Sequence, residues 1–117
     1  MKIFVYGTLM RGEFNHSVLS GPGVKFLRTG ITERGFTLYS LGPFPGLVLG
    51  GSNAIVGEVY EVDDFTLMQL DGLESHPDFY RRTNIELQGG EKVQTYILNE
   101  GYIRDCGIIK SGDWKRR

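Results

Sequence analysis

The sequence predicts an α+β fold, in which a small mixed β-barrel carries one clear helix and up to two short ones. Three observations lead to this prediction. Glycine accounts for 17 of the 117 residues, about twice its usual share, and aromatic residues account for 12%; this combination is typical of short strands joined by tight turns. One segment alone has strong helical periodicity. Only two segments could cross over between parallel strands, which favours a curled sheet over a doubly wound one.

Six segments have the composition of β-strands. They are residues 2–6, 24–33, 36–41, 54–62, 82–87 and 92–98. The last two flank Gly89-Gly90 and are expected to form a hairpin. The segment 42–46 contains two prolines, which remove backbone donors and fix φ. We therefore predict that this aromatic segment is a rigid loop without regular structure.

The clear helix is predicted over residues 63–73. Asp63 or Asp64 can cap its first turn, and Pro77 requires it to end by residue 76 at the latest. Its apolar residues recur at helical spacing, so we expect them to pack in the core. They are Leu67, Met68, Leu70 and Leu73. A shorter helix is expected over 14–20.

Composition and charge narrow the class of protein. The length favours one domain spanning residues 1–117. A net charge of -1 provides no basic surface for nucleic acid, and the basic residues 115–117 are interpreted as a solvated tail. No apolar run approaches the ~18 residues needed to cross a bilayer, so we expect neither a nucleic-acid nor a membrane partner.

Cysteine and histidine usage indicates a reducing compartment and no metal site. Cys106 is the single cysteine, so an intramolecular disulfide is impossible and a cytoplasmic location is expected. The first strand breaks at Tyr6-Gly7, which leaves no apolar core for a signal peptide. His16 and His76 do not have zinc-ligand spacing. The sequence therefore predicts no zinc site.

Two carboxylates are candidates for chemistry. Glu74 falls at the predicted C-terminal end of the helix, where the backbone carbonyls would raise its pKa, as would apolar surroundings from Leu73 and Phe79. A raised pKa suits a general acid/base, although a solvated surface glutamate is the commoner case. Glu58 shares a strand face with Tyr60. If that face is the core, Glu58 must be paired with an arginine or a tyrosine hydroxyl; if the other face is the core, Glu58 is solvated.

The end of the first strand is a candidate binding element. The segment Phe4-Val5-Tyr6-Gly7-Thr8-Leu9 has the pattern of a strand that stops at a glycine. Such a turn leaves backbone N–H groups unpaired, and these groups bind anionic or carbonyl oxygens well. We therefore expect a small-molecule site beside it. Gly57, in a later strand, indicates a bulge or a close backbone approach.

Several segments, in this order, resemble those of the gamma-glutamylcyclotransferase-like family. They are Val5-Tyr6-Gly7-Thr8-Leu9 with Arg11-Gly12 and Asn15-His16, then Gly57-Glu58-Val59-Tyr60-Glu61-Val62, then Leu70-Asp71 and Leu73-Glu74 with Tyr80 and Arg82. The terminal Ser111-Gly112-Asp113-Trp114 is similar to a tail of short bacterial members. The similarity covers most of the chain.

The resemblance implies a compact mixed fold around a small β-barrel and a small-molecule γ-glutamyl substrate, without cofactor, metal or water. It implies intramolecular aminolysis, which releases 5-oxoproline and a free amine, with Glu74 as general acid/base. The amides of Gly7, Thr8 and Leu9 would hold the glutamyl carboxylate or the oxyanion. Tyr80 would border the pocket, as would Tyr6 if its side chain turns inward.

The sequence leaves several alternatives open. The same cavity could bind a ligand without chemistry, since a fold does not establish turnover. Arg82 could instead be a salt-bridge partner on its strand, and Asn15 and His16 could cap the short helix. The sequence specifies neither the amine that leaves nor the oligomeric state.

Overall fold

The protein is described here by a computed structural model that covers residues 1–103 and 106–117. In this part of the chain, eight strands pair into one sheet. They are β1 Lys2–Val5, β2 Val24–Ile31, β3 Phe36–Ser40, β4 Pro45–Leu49, β5 Val56–Val62, β6 Tyr80–Glu86, β7 Lys92–Leu98 and β8 Gly107–Ile108. The α-helix α1 spans Asp64–Leu73, and short 3₁₀ helices span His16–Leu19, Glu100–Tyr102 and Trp114–Arg116.

The strand order is β2-β5-β1-β7-β4-β3-β8, with β6 paired to β7 off this path. The pairings of β7 with β1 and with β4 are parallel, and the others are antiparallel. The predicted mixed α+β class is therefore confirmed. The predicted barrel does not close in the described residues, because β2 and β8 lie at opposite ends of the order.

Two strands were not predicted from the sequence, β4 and the two-residue β8. The segment 42–46 was expected to be an irregular loop, but β4 begins at Pro45 and pairs with β3 over five residue pairs. A proline at the first position of a strand is tolerated, because its missing N–H is then outside the continuous ladder. The predicted hairpin of β6 and β7 is confirmed, with seven paired positions.

Helix α1 begins and ends close to the predicted positions. The Asp63 carboxylate accepts a hydrogen bond from the Thr66 amide at 2.9 Å, which caps the first turn. The predicted core stripe is only partly correct. Leu70 is fully buried, but Met68 is 63% exposed and Leu73 is 44% exposed. The helix packs on the protein through a narrower face than its periodicity indicates. The shorter helix predicted over 14–20 is a 3₁₀ helix over His16–Leu19.

The C-terminal segment is part of the core packing. The Trp114 side chain is only 1% exposed, and its indole N–H donates to Glu13 Oε1 at 2.8 Å. The Gly112 carbonyl accepts from the Val56 amide at 2.8 Å. The basic residues 115–117 are exposed, as expected. None of the described helices is long and apolar enough to cross a membrane.

Candidate functional site

A cavity of about 600 Å³ lies between the end of β1, the start of β4, the end of α1 and the strands β6 and β7. Its walls include the six residues predicted as catalytic or substrate-binding. These are Tyr6, Gly7, Thr8, Leu9, Glu74 and Tyr80. The other lining residues are mostly apolar or aromatic: Phe4, Val5, Phe14, Asn15, Pro43, Phe44, Pro45, Leu73, Ser75, Phe79 and Tyr96. Thus one cavity brings the glycine turn and Glu74 together.

The turn that follows β1 lines this cavity and, in the described part of the chain, carries backbone amides without a protein partner. Within residues 1–103 and 106–117, the N–H groups of Gly7, Thr8 and Leu9 donate to no protein acceptor. The next two amides are used: Met10 donates to the Gly7 carbonyl at 3.1 Å, and Arg11 donates to a Glu58 oxygen at 2.9 Å. Three consecutive free amides are well suited to bind a carboxylate or an oxyanion.

Gly7 is required by close packing. A Cβ atom at this position would lie 2.5 Å from Cγ of Pro45, the residue at which β4 begins. The absence of a side chain lets the turn contact β4 directly. The unpredicted strand β4 therefore sets the position of the predicted binding turn.

Asn15 and His16 bind the same turn through polar contacts. Asn15 Nδ2 donates to Thr8 Oγ1 at 3.0 Å, and His16 Nδ1 lies 2.9 Å from the Leu9 carbonyl oxygen. Asn15 stands at the N-cap of the 3₁₀ helix but its side chain makes no capping hydrogen bond. The alternative that these side chains cap the short helix is therefore wrong for Asn15, since its amide is bound to the turn.

Glu58 is a structural carboxylate. It is buried, and its Oε1 accepts hydrogen bonds from the Tyr60 hydroxyl at 2.8 Å and the Arg11 amide at 2.9 Å. Arg11 Nε lies 3.7 Å from its other oxygen. The conditional prediction, that a buried Glu58 pairs with an arginine or a tyrosine hydroxyl, is confirmed for both partners. Glu58 does not line the cavity, so its contribution is to hold the turn.

Glu74 is the C-cap residue of α1. Its amide donates to the Leu70 carbonyl at 2.9 Å, and Ser75 immediately after it adopts the left-handed region with φ of 51°. This reversal ends the helix and leaves Glu74 half-buried in the cavity wall. Burial raises the pKa of Glu74 from its ordinary value of 4.5 to about 7. A carboxyl with this pKa exchanges protons readily at neutral pH.

The tyrosine hydroxyls of the cavity are already engaged as donors. Tyr6 donates to the Tyr96 carbonyl at 2.6 Å, Tyr80 donates to the Pro45 carbonyl at 2.5 Å, and Tyr96 donates to Asp71 Oδ1 at 2.6 Å. Burial is the main cause that raises the pKa of all three phenols, and the nearby Glu74 carboxylate raises them further. Among the described lining residues, Glu74 is consequently the group suited to carry a proton.

A polar network fixes the end of α1 to the sheet. The Asp71 carboxylate accepts hydrogen bonds from Arg82 Nη1 at 3.1 and 2.9 Å and from the Tyr96 hydroxyl. The Arg82 amide donates to His76 Nδ1 at 3.0 Å. Arg82 thus forms a salt bridge with Asp71, which confirms the alternative that it is a salt-bridge partner on its strand. Sequence reasoning missed the support from Tyr96, because nothing in the spacing links β7 to the helix.

Sequence reasoning also missed the aromatic wall of the cavity. Phe14 and Phe44 line it, yet each lies in a segment that the sequence described only as a short helix or a loop. The available signal was the presence of large aromatic residues in polar, turn-rich segments. In the part of the chain that the structure covers, no group of three or more His, Cys, Asp or Glu side chains is placed to hold a metal ion.

Comparison with known proteins identifies the family of this chain. The family model described as gamma-glutamyl cyclotransferase, AIG2-like, matches residues 3–116. The chain belongs to this family. A Vibrio cholerae protein named "Putative gamma-glutamylcyclotransferase" is 45% identical over 115 residues, which cover 98% of this chain and 96% of that protein. The mouse gamma-glutamylaminecyclotransferase is 39% identical over 111 residues, which cover 81% of this chain and 74% of the mouse protein.

Solved structures with similar sequences have the same fold. A mouse AIG2-like protein superimposes with a TM-score of 0.73 at 34% identity, over 89% of this chain and 79% of the mouse chain. A Pyrococcus horikoshii protein superimposes with a TM-score of 0.80 at 33% identity, over 98% of this chain and 90% of that chain. The fold of this chain is therefore consistent with its membership of the gamma-glutamylcyclotransferase family.

Proposed function

We propose that the protein releases 5-oxoproline and a free amine from a γ-glutamyl amide by intramolecular aminolysis, with Glu74 as the general acid/base. The observation that carries this proposal is the position of Glu74. Burial raises its pKa to about 7, and it shares one cavity with the turn 7–9, whose three backbone amides donate to no acceptor in the described part of the chain. Family membership supports the same reaction class.

The reaction needs two protons to move from the attacking nitrogen to the leaving nitrogen. Glu74 takes the first proton from the α-ammonium, and the freed amine attacks the side-chain amide carbon to form the five-membered ring. Glu74 passes that proton to the leaving nitrogen, and the amide C–N bond breaks with its electron pair on that nitrogen. The ring nitrogen then loses its second proton through the same carboxylate to the departing amine. Water is not consumed and nothing is oxidised.

The amides of Gly7, Thr8 and Leu9 provide the oxygen-binding element of this mechanism. They hold either the oxyanion of the tetrahedral intermediate or the α-carboxylate of the glutamyl group. The two arrangements have different kinetic consequences. Displacing amides that hold the oxyanion lowers kcat, whereas displacing amides that hold the carboxylate raises KM.

The test is release of 5-oxoproline from a panel of γ-glutamyl amides by the wild type and by Glu74→Gln. We expect the substitution to lower kcat/KM by about 10²- to 10⁴-fold, the usual contribution of a positioned acid/base. The control is Glu86→Gln, which alters an exposed glutamate on β6 and should leave the rate unchanged. Equal turnover by folded Glu74→Gln would remove Glu74 from the mechanism.

The same assay reports the ionisation of Glu74. Because the base must be deprotonated, the wild-type kcat/KM should rise through about pH 7 and then level off. If no amide in the panel yields 5-oxoproline, but one of them raises the melting temperature, the cavity is a binding site without chemistry.

A further inference from the structure

The charged side chains of the cavity wall affect which leaving amines the cavity can bind. In residues 1–103 and 106–117, no lysine, arginine or histidine lines the cavity, and Glu74 is its only charged residue. The arginine nearest in sequence to the turn, Arg11, contacts Glu58 and the Phe26 ring. Arg82 is bound to Asp71. The described wall therefore offers no side-chain cation to a second carboxylate on the substrate.

The lining residues differ in exposure between the inner and outer parts of the cavity. The free amides belong to buried residues, and Tyr6, Tyr80 and Tyr96 beside them are also buried. Of the four exposed lining residues, three are apolar and one, Ser75, is polar: Phe14 is 71% exposed, Leu73 is 44% exposed, and Pro43 and Ser75 are also exposed. Exposed apolar side chains grouped at a cavity commonly mark a ligand contact. Phe14 and Leu73 form the rim of the cavity.

An aromatic pair continues the apolar surface inward from the rim. The Phe44 and Phe79 rings pack edge to face, with centroids 6.0 Å apart and an interplanar angle of 71°. Phe79 also contacts the Tyr80 ring at 5.0 Å between centroids. These contacts fix the two rings in the wall before any ligand arrives. Rigid aromatic surfaces bind apolar groups at a low cost in conformational entropy.

The cavity is larger than the glutamyl group requires. Cavities of 300–1,000 Å³ typically enclose drug-sized ligands, and this one measures about 600 Å³. In the proposed reaction the glutamyl α-amine must reach Glu74 and its oxygens must reach the buried amides. The leaving group would then contact the Phe44–Phe79 pair and the rim.

We propose that the leaving amine has an apolar body, aromatic or branched alkyl, and carries no carboxylate. This inference rests on the proposed cyclotransferase function and specifies its substrate class. An apolar body gains favourable contact with Phe44, Phe79 and the rim. A carboxylate in the same position loses solvation, finds no side-chain cation in the described wall and is repelled by Glu74.

The experiment compares three substrates that differ in one group each. These are γ-glutamyl-phenethylamide, γ-glutamyl-phenylalanine, which adds a carboxylate, and γ-glutamyl-ethylamide, which lacks the ring. We expect kcat/KM for the phenethylamide to exceed that of each of the others by about 10-fold or more. Equal or faster turnover of γ-glutamyl-phenylalanine overturns the inference and leaves the cyclotransferase function standing. If none of the three yields 5-oxoproline but another amide of the panel does, the inference is overturned and the function stands; if no amide yields it, the function is removed as well.

A charge placed at the rim provides an independent test. Phe14→Arg should raise the ratio of kcat/KM for γ-glutamyl-phenylalanine over the phenethylamide by about 10-fold, because it supplies the missing cation. The control is Phe65→Arg, which adds the same charge at a phenylalanine that is 62% exposed and does not line the cavity. Both sites are exposed, so both variants should fold. An equal ratio in the two variants contradicts the inference.

Discussion

At the scale of single residues, Glu74 and the tyrosine hydroxyls of the cavity differ in their ability to exchange protons at neutral pH. The hydroxyls of Tyr6, Tyr80 and Tyr96 donate to protein oxygens, and their raised pKa values keep them neutral. Among the described residues, no hydrogen-bond partner holds the proton of Glu74, and its pKa is raised by desolvation. Its environment, rather than its residue type, makes it suitable for acid/base chemistry.

The raised pKa of Glu74 also predicts how stability depends on pH. The folded-state pKa of about 7 exceeds the ordinary value of 4.5, so the folded protein binds more protons between these values. Stability that is fully present below about pH 4.5 is lost as the pH rises through about 7. Glu74→Gln has no charge to desolvate. We therefore expect it to be more stable than the wild type at about pH 8, by about 1–3 kcal/mol.

Urea unfolding of both proteins at about pH 5 and about pH 8 measures this difference. At the lower pH, where most of the wild-type Glu74 is protonated, the two proteins should have similar free energies of unfolding. A gap of the same size at both pH values would show that the substitution acts through packing and not through ionisation. Folded Glu74→Gln at pH 8 also validates its use in the activity assay.

At the scale of elements, the position of Glu74 depends on how α1 ends. Asp71 lies one turn before Glu74 and accepts hydrogen bonds from Arg82 on β6 and from Tyr96 on β7. These contacts join the last turn of the helix to two strands. The Tyr80 amide also donates to the Glu74 carbonyl at 3.3 Å. Asp71 is therefore a positioning residue for the proposed acid/base.

We expect Asp71→Asn to lower kcat by about 10- to 100-fold, because small misplacements of a catalytic group have effects of this size. An amide of the same shape loses the charge and one acceptor oxygen. As a second readout, the pH at which kcat/KM rises should shift, since the surroundings of Glu74 change. Asp64→Asn, an exposed position at the start of the same helix, should change neither. Similar kinetics for the two variants would contradict this role.

At the scale of the whole molecule, the C-terminal segment supports the cavity from outside. Trp114 is buried against residues from distant parts of the chain, and its indole donates to Glu13, the neighbour of Phe14. The Lys115 ammonium donates to the Arg11 carbonyl. Gly112 has φ of 70° and its carbonyl accepts from the first residue of β5. The end of the chain thus fastens the turn that carries the free amides.

Removal of the Trp114 side chain should lower the stability of the protein considerably. We expect Trp114→Ala to lower the free energy of unfolding by about 3–5 kcal/mol, the usual range for removing a large buried aromatic. Trp114→Phe keeps much of the apolar area and should lose less, which makes it the folded comparison if the alanine variant fails to fold. Urea unfolding at constant m measures both. A loss below about 1 kcal/mol for Trp114→Ala would show that the tail is dispensable.

Elements with local signals were predictable. The hairpin of β6 and β7 follows from two β-rich segments around Gly89-Gly90, and α1 follows from an Asp cap and helical spacing. The errors have tertiary causes. β4 was missed because pairing with β3 and β7, which no local pattern encodes, makes a strand of Pro45–Leu49. Leu73 was assigned to the core because periodicity cannot distinguish core from cavity.

The sequence by itself determined the family, the mixed fold class and the small set of residues at the candidate site, because composition, turn residues and ordered motifs are carried by the chain. Only the tertiary structure decided what those residues can do. It brought Glu74 into one cavity with Gly7, and buried Glu58 against Arg11. Contacts between distant segments decide how deeply a carboxyl is buried, and its burial raises its pKa. The same contacts decide which charged side chains line the cavity. No local sequence pattern specifies either property.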